Sequence, residues 1–148
     1  MALAGVHLEV EGTLEAVSQA VAQLRRHLDR LIAPDAPQDC AAIELGVAEV
    51  LTNIVLHGQP GDRMELQCER QADVVEVVVR DRGRPIPLER LAGAGLARFD
   101  FDPADLAGLP DHGMGLALVK ALFHSMDYQQ ADGCNVMRLQ RRLGAGAD

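Results

Sequence analysis

Val74-Val75-Glu76-Val77-Val78-Val79-Arg80-Asp81-Arg82-Gly83 is the stretch on which the fold turns. Its first six residues are β-branched apart from one glutamate, a composition that suits a pleated backbone packed against neighbours and predicts a central strand. The run stops at an acid followed by Arg82-Gly83, where a strand opens into a loop. Just before it, Ala72-Asp73 predicts a hairpin turn, and Met64 to Cys68 alternates apolar and polar residues as a half-buried strand does.

Further toward the N-terminus, His57-Gly58-Gln59-Pro60-Gly61-Asp62 is turn chemistry. Ahead of it, Ala41 to Leu56 is densely apolar, interrupted by Glu44, Glu49, Thr52 and Asn53. This predicts a helix buried on most sides, with Asp39 as its cap. Leu14, Val17, Val21, Leu24, Leu28 and Leu31 recur at spacings of three and four, so an amphipathic helix is expected from a cap at Gly12-Thr13 to about Ala33. Pro34 and Pro37 end it and leave a short linker. Val6, Leu8 and Val10 alternate with His7 and Glu9, which predicts a first strand.

Toward the C-terminus, Arg84 to His112 is rich in glycine and proline and reads as a long loop or lid, with a short helix after Asp102-Pro103. Gly113-Met114-Gly115 opens an apolar helix, Leu116 to Met126. Tyr128 to Leu143 reads as a hairpin turning near Asp132-Gly133, and Gly144 to Asp148 as a frayed tail. The order β-α-α-β-β-lid-α-β-β predicts an α+β fold: a two-layer sandwich with helices on one face of a mixed, mostly antiparallel sheet. A chain of 148 residues is the length of one domain, here 1–143 plus the tail.

Composition narrows the function. With 14 Lys and Arg against 22 Asp and Glu the net charge is −8, and one Tyr, three Phe and no Trp leave little to stack on bases, so no direct nucleic-acid partner is expected. Cys40, Cys68 and Cys134 are widely spaced and form no C-x-x-C pair, which predicts reduced thiols and a cytoplasmic location. The N-terminus lacks a basic region followed by an apolar core, and no apolar run approaches the ~20 residues that span a bilayer, so no membrane association is expected.

Three features bear on chemistry. Glu49 and Asn53, four apart, share one face of their helix. A solvated face accounts for that spacing; so does a carboxylate serving as general base beside an amide oxygen serving as a ligand for Mg2+. His57 fits a helix end favoured by the dipole. Asp81, at the end of an apolar strand, is placed to accept from the amino group of a base while Gly83 lets a flat ring approach, although a plain turn reads the same way. Gly113-Met114-Gly115-Leu116 leads into a helix whose first amides form an anion site, and it also fits a sharp loop-to-helix turn. The argument lies in all three occurring in this order in one small domain.

Glu44-Leu45-x-x-x-Glu49-x-x-Thr52-Asn53-x-x-x-His57-Gly58 resembles the N box of the GHKL (Bergerat-fold) ATPases, in the version carried by anti-sigma factor serine kinases of the RsbW and SpoIIAB type. Asp81-x-Gly83-x-Pro85-Ile86 resembles their first glycine box, and His112-Gly113-Met114-Gly115-Leu116-x-Leu118-Val119 their second. Met126-Asp127-Tyr128 through Gly133-x-Asn135-Val136-x-Arg138-Leu139 is similar to the last hairpin of that family.

The resemblance implies a single histidine-kinase-like ATPase domain that uses ATP and Mg2+. It implies Glu49 as the general base, Asn53 as the Mg2+ ligand, and Asp81 as acceptor from the adenine amino group, with Gly83 and Ile86 lining the base. Gly113, Met114, Gly115 and Leu116 would wrap the phosphates, and Asn135, where many relatives have threonine, would offer a hydrogen bond at the nucleotide site. Asp111-His112 stands where several relatives carry a basic residue, so a phosphate-neutralising charge is either missing or supplied by Arg98. The implied activity is phosphorylation of a serine of a small STAS-type anti-anti-sigma protein, combined with sequestration of a sigma factor, in a homodimer built on the first strand and first helix. Two other readings stay open: a non-catalytic anti-sigma binding module, and a detached histidine-kinase catalytic domain.

Overall fold

The computed structural model describes residues 4–57, 63–85 and 115–144. Its elements are β1 (Ala4–Glu11), α1 (Leu14–Leu31), α2 (Pro37–His57), β2 (Arg63–Gln71), β3 (Val74–Asp81), α3 (Gly115–Leu122), β4 (Ser125–Ala131) and β5 (Cys134–Arg142), in the order the sequence predicts. The expected lid from residue 86 onward, with the short helix after Asp102-Pro103, lies outside the described residues.

The strands form one sheet ordered β1-β2-β3-β5-β4 with β3 at its centre. Among the described residues every pairing is antiparallel, so the sheet is not mixed. Asp132 and Gly133 both take positive φ, 55° and 74°, the two-residue turn whose twist matches a hairpin. Because side chains alternate between faces, the register sorts the strands into rows. Leu8, Leu66, Val79, Met137 and Tyr128 form one inward row; Val6, Cys68, Val77, Leu139 and Met126 form the next. These rows meet Leu24 and Leu28 of α1 and Ile43, Val47 and Leu51 of α2, all buried. Each such side chain removed from water contributes about 1.5–3 kcal/mol.

The differences from expectation have local causes. On α1 the stripe narrows to Val17, Ala20, Leu24 and Leu28, while Leu14 is exposed. The helix stops at Leu31 because Ile32 and Ala33 both donate their N–H to the Leu28 carbonyl, at 2.9 and 3.1 Å. Pro37 does not sit in a linker but is the first residue of α2, where a missing N–H costs nothing. Asp39 is therefore not the cap: it lies in the first turn, and its carboxylate is engaged elsewhere. The fully buried residues of α2, including Cys40, Ile43, Val47 and Val50, run along one stripe rather than all around. Contrary to expectation, α2 is long and apolar enough to cross a membrane, by length and composition alone. Part of that apolar surface is taken up by the core. Helix α3 ends at Leu122 rather than Met126, because Ser125 and Met126 pair with Gln140 and Leu139 in the sheet and His124 N–H already donates to the Gln140 carbonyl at 2.8 Å.

Gly46 sets the distance between α2 and α3. A Cβ there would come within 2.4 Å of the Phe123 ring, so the ring rests on helix backbone.

Candidate functional site

One register step beyond the apolar rows, the inward row reads Val10, Met64, Asp81, Asn135 and Gln130. Two polar side chains thus continue an apolar face, and they are only 6% and 5% exposed. Buried polar groups need partners, and these two largely supply each other's. Asp81 Oδ1 accepts from the Gly83 N–H at 2.8 Å and from Asn135 Nδ2 at 3.0 Å. Asn135 Nδ2 also donates to the Gly83 carbonyl at 3.0 Å. Among the described residues, Asp81 Oδ2 accepts nothing. A nearly buried carboxylate therefore keeps one acceptor for something outside these residues.

The opposite end of the same strand pair shows where the helices point. Arg141 Nε donates to Asp39 Oδ1 at 2.6 Å, near the start of α2, and Arg141 Nη1 to the Leu122 carbonyl at the end of α3. At ~3.3 Å per strand residue, Asn135 lies about 20 Å back along β5 from Arg141. At ~1.5 Å per helical residue, Glu49 and Asn53 lie about 15 and 21 Å along α2 from Asp39. Helix α2 therefore carries Glu49 and Asn53 away from the Arg141 end, and α3 does the same for Gly115 at its start.

Glu49 and Asn53 share a helix face and are both half-buried. Neither side chain has a hydrogen bond or ion pair among the described residues. Burial pushes the Glu49 carboxyl up from its ordinary value, which makes it a better proton acceptor near neutrality. Glu44, on another face, is taken by Arg25 Nη1 at 2.7 Å. Gly115 opens α3 and Leu116 behind it is buried. Ile86, Gly113 and Met114, with Arg98, Asp111 and His112, lie outside the described residues.

Residues 10–141 match the histidine kinase-like ATPase domain, most of the chain. The chain belongs to that family. Histidine kinase-like ATPase folds also surround it structurally. It is similar to the RsbU and RsbW domains of Rv1364c from Mycobacterium tuberculosis, with 22% identity and a TM-score of 0.61 over 94% of this chain, which spans 32% of that one. It is similar to the mycobacterial sensor histidine kinase MprB, with 20% identity and a TM-score of 0.51, covering 92% of this chain and 98% of that one. A third likeness, to the catalytic domain of histidine kinase ThkA, has 13% identity and a TM-score of 0.54, covering 97% of each chain. At these identities the likeness is one of fold. A search of curated proteins finds no match.

The residues present suit an adenine nucleotide with a divalent cation. An open, nearly buried acceptor suits the adenine amino group, and the amide oxygen of Asn53 is a hard donor of the kind Mg2+ takes. What the resemblance alone indicates for Asn135 has its own signal in the sequence: Asn135-x-Met137-x-Leu139 puts a polar residue on an apolar face. Asp39 and Arg141 carry no such signal, because their pairing spans 102 positions.

Proposed function

We propose that this chain is an ATP-dependent protein-serine kinase and anti-sigma factor, which phosphorylates a STAS-type anti-anti-sigma protein and sequesters a sigma factor in a partner-switching circuit. The observation that carries the reading is Glu49: a half-buried carboxylate with raised proton affinity, without a partner among the described residues, one turn from Asn53. Structural likeness to a chain containing an RsbW domain supports it.

ATP would be the phosphoryl donor, and Mg2+ would supply charge neutralisation at its phosphates. Asp81 Oδ2 would accept from the adenine amino group, with Gly83 and Ile86 lining the base. Asn53 would hold the cation, and Gly113, Met114, Gly115 and Leu116 would wrap the phosphates. Glu49 takes the proton of the partner's serine hydroxyl as its oxygen bonds to the γ-phosphorus and ADP leaves. Two copies pair through β1 and α1, β1 being an edge strand whose outer backbone groups lack a strand partner among the described residues.

The test is incubation with ATP and a candidate STAS protein, read by mass spectrometry. Phosphoserine is expected. Phosphohistidine on a partner would mean a histidine-kinase catalytic domain, and sigma binding without any transfer a binding module. Glu49→Ala is expected to lower transfer about 10²- to 10⁴-fold and leave nucleotide affinity intact; wild-type turnover in that variant would remove Glu49 from the mechanism.

A further inference from the structure

Helices α2 and α3 carry two parts of the candidate site, Glu49 and Asn53 on one and Gly115 with Leu116 on the other, and they meet over a glycine. Gly46 is buried in α2, and a Cβ on it would lie 3.1 Å from Phe123 Cζ, 3.4 Å from Cδ2 and closer still to Cε2. The ring is only 6% exposed and belongs to the core, so close packing leaves it little room to swing aside. Its backbone is held on both sides. The Leu122 carbonyl accepts from Arg141 Nη1, and the His124 N–H donates to the Gln140 carbonyl at 2.8 Å. Strand β5 thus anchors the end of α3, and the ring sets how far α2 stands from it. At ~1.5 Å per helical residue, Asn53 lies about 10 Å along α2 from Gly46, and Gly115 about 12 Å back along α3 from Phe123. A change of spacing at the glycine is therefore carried to both helical parts of the site.

We propose that Gly46 and Phe123 are positioning residues: the ring, seated on bare helix backbone, fixes the gap between Asn53 and the start of α3, and with it the grip of the site on the phosphates of a nucleotide as distinct from its base. This rests on the reading that Asn53 holds the cation and the start of α3 the phosphates. The base end is built separately, from Asp81 on β3 with Gly83 and Asn135 as its partners. A shift of α2 against α3 leaves that end alone. Contacts to a cation and to phosphate oxygens are short and directional, and a misplacement of about 1 Å at a reacting centre costs on the order of 10²-fold. A larger residue in place of Gly46 spreads the helices, and a smaller one in place of Phe123 lets them close.

The discriminating measurement is calorimetry on the full chain with Mg-ATP and with adenosine, which carries the base and ribose but no phosphate. The ratio of the two affinities isolates what the phosphates and the metal contribute. Gly46→Ala is expected to lower that ratio about tenfold or more, by weakening Mg-ATP while adenosine binds as before. Phe123→Leu, which withdraws the tip of the ring, is expected to lower it as well, and decides the matter if Gly46→Ala does not fold. The two substitutions offset each other in volume, so the double variant is expected to return to within about threefold of the wild-type ratio. A packing role alone predicts lower melting temperatures with an unchanged ratio in the single variants, and that result overturns the proposal. A double variant no better than the single ones overturns it too, because spacing is then not the cause. Mg-ATP bound by the wild type no more tightly than adenosine overturns the phosphate reading, and the proposal with it. Failure of the wild type to bind either overturns the nucleotide reading itself.

Discussion

At one end of the β3–β5 ladder, Asp39 is 1% exposed and both its oxygens are taken, Oδ1 by Arg141 Nε at 2.6 Å and Oδ2 by the Gly144 N–H at 3.1 Å. At the other end, Asp81 is 6% exposed with one oxygen doubly bonded and the other open among the described residues. The closed end is reinforced by Arg70 in the same inward row as Arg141, which donates to the Leu31 carbonyl at 2.6 Å and to Asp35. Its guanidinium holds the Asp35 carboxyl below the usual carboxylate range. The difference teaches how a buried acid is to be read. A carboxylate whose lone pairs are consumed by its own chain fixes architecture, whereas one left half-consumed among the described residues suits the ligand-binding role proposed for Asp81. Glu49 extends the series, with no partner among the described residues.

Three substitutions test that contrast. The largest effect is expected from Asp39→Ala, which strands Arg141 at a nearly buried site; breaking such a pair costs about 3–5 kcal/mol. Thermal unfolding should show a fall of roughly 10 °C or more, while the fraction still folded keeps its nucleotide affinity. A stable variant that loses nucleotide binding would reverse the assignment of the two ends.

Asp81→Asn should do the opposite. Its amide oxygen still accepts from Gly83 and Asn135, while an NH2 group replaces the open acceptor and faces the adenine amino group with another donor. ADP affinity by calorimetry is expected to fall about 10- to 100-fold with little change in melting temperature. Unchanged affinity in the folded variant would take Asp81 out of the site.

The smallest effect is a gain in stability from Glu49→Gln. Burial raises the folded-state pKa of Glu49 above its unfolded value, so the ionised group costs stability at pH above both values and costs nothing below them. Gln carries no charge to desolvate. A slightly higher melting temperature is expected at neutral pH, vanishing below about pH 4 where the carboxyl is protonated in both states. The same gain at both pH values would mean that packing, not charge, is the cause.

Much of this was legible in the chain itself, because the informative signals are local. Period two in Val6-Leu8-Val10 and Met64 to Cys68, and the valines before Asp81, predict strands that form, and Asp132-Gly133 predicts the turn between β4 and β5. Glu49 and Asn53 share a face because helical spacing requires it. What was not legible depends on partners distant in sequence. Asp39 reads as a cap until Arg141 claims it, 102 positions away. Ser125 and Met126 read as the end of an apolar helix until Gln140 and Leu139 draw them into the sheet. The triangle at Asp81 is half legible: Gly83 is two residues off and follows from turn chemistry, while Asn135 needs the register of β3 on β5.

The strand order has a kinetic consequence. Hairpins β2–β3 and β4–β5 each close over a two-residue turn, whereas the contact joining them spans 54 positions between Asp81 and Asn135. Local hairpins form in about 1–10 μs, so the slow event in folding should be the meeting of two preformed halves at β3 and β5, with a rate set by closing that long stretch of chain. Closure entropy grows only with the logarithm of length, so ten extra residues between the halves would cost about 0.2 kcal/mol. Insertions between residues 86 and 114 should therefore leave the sheet nearly as stable as before.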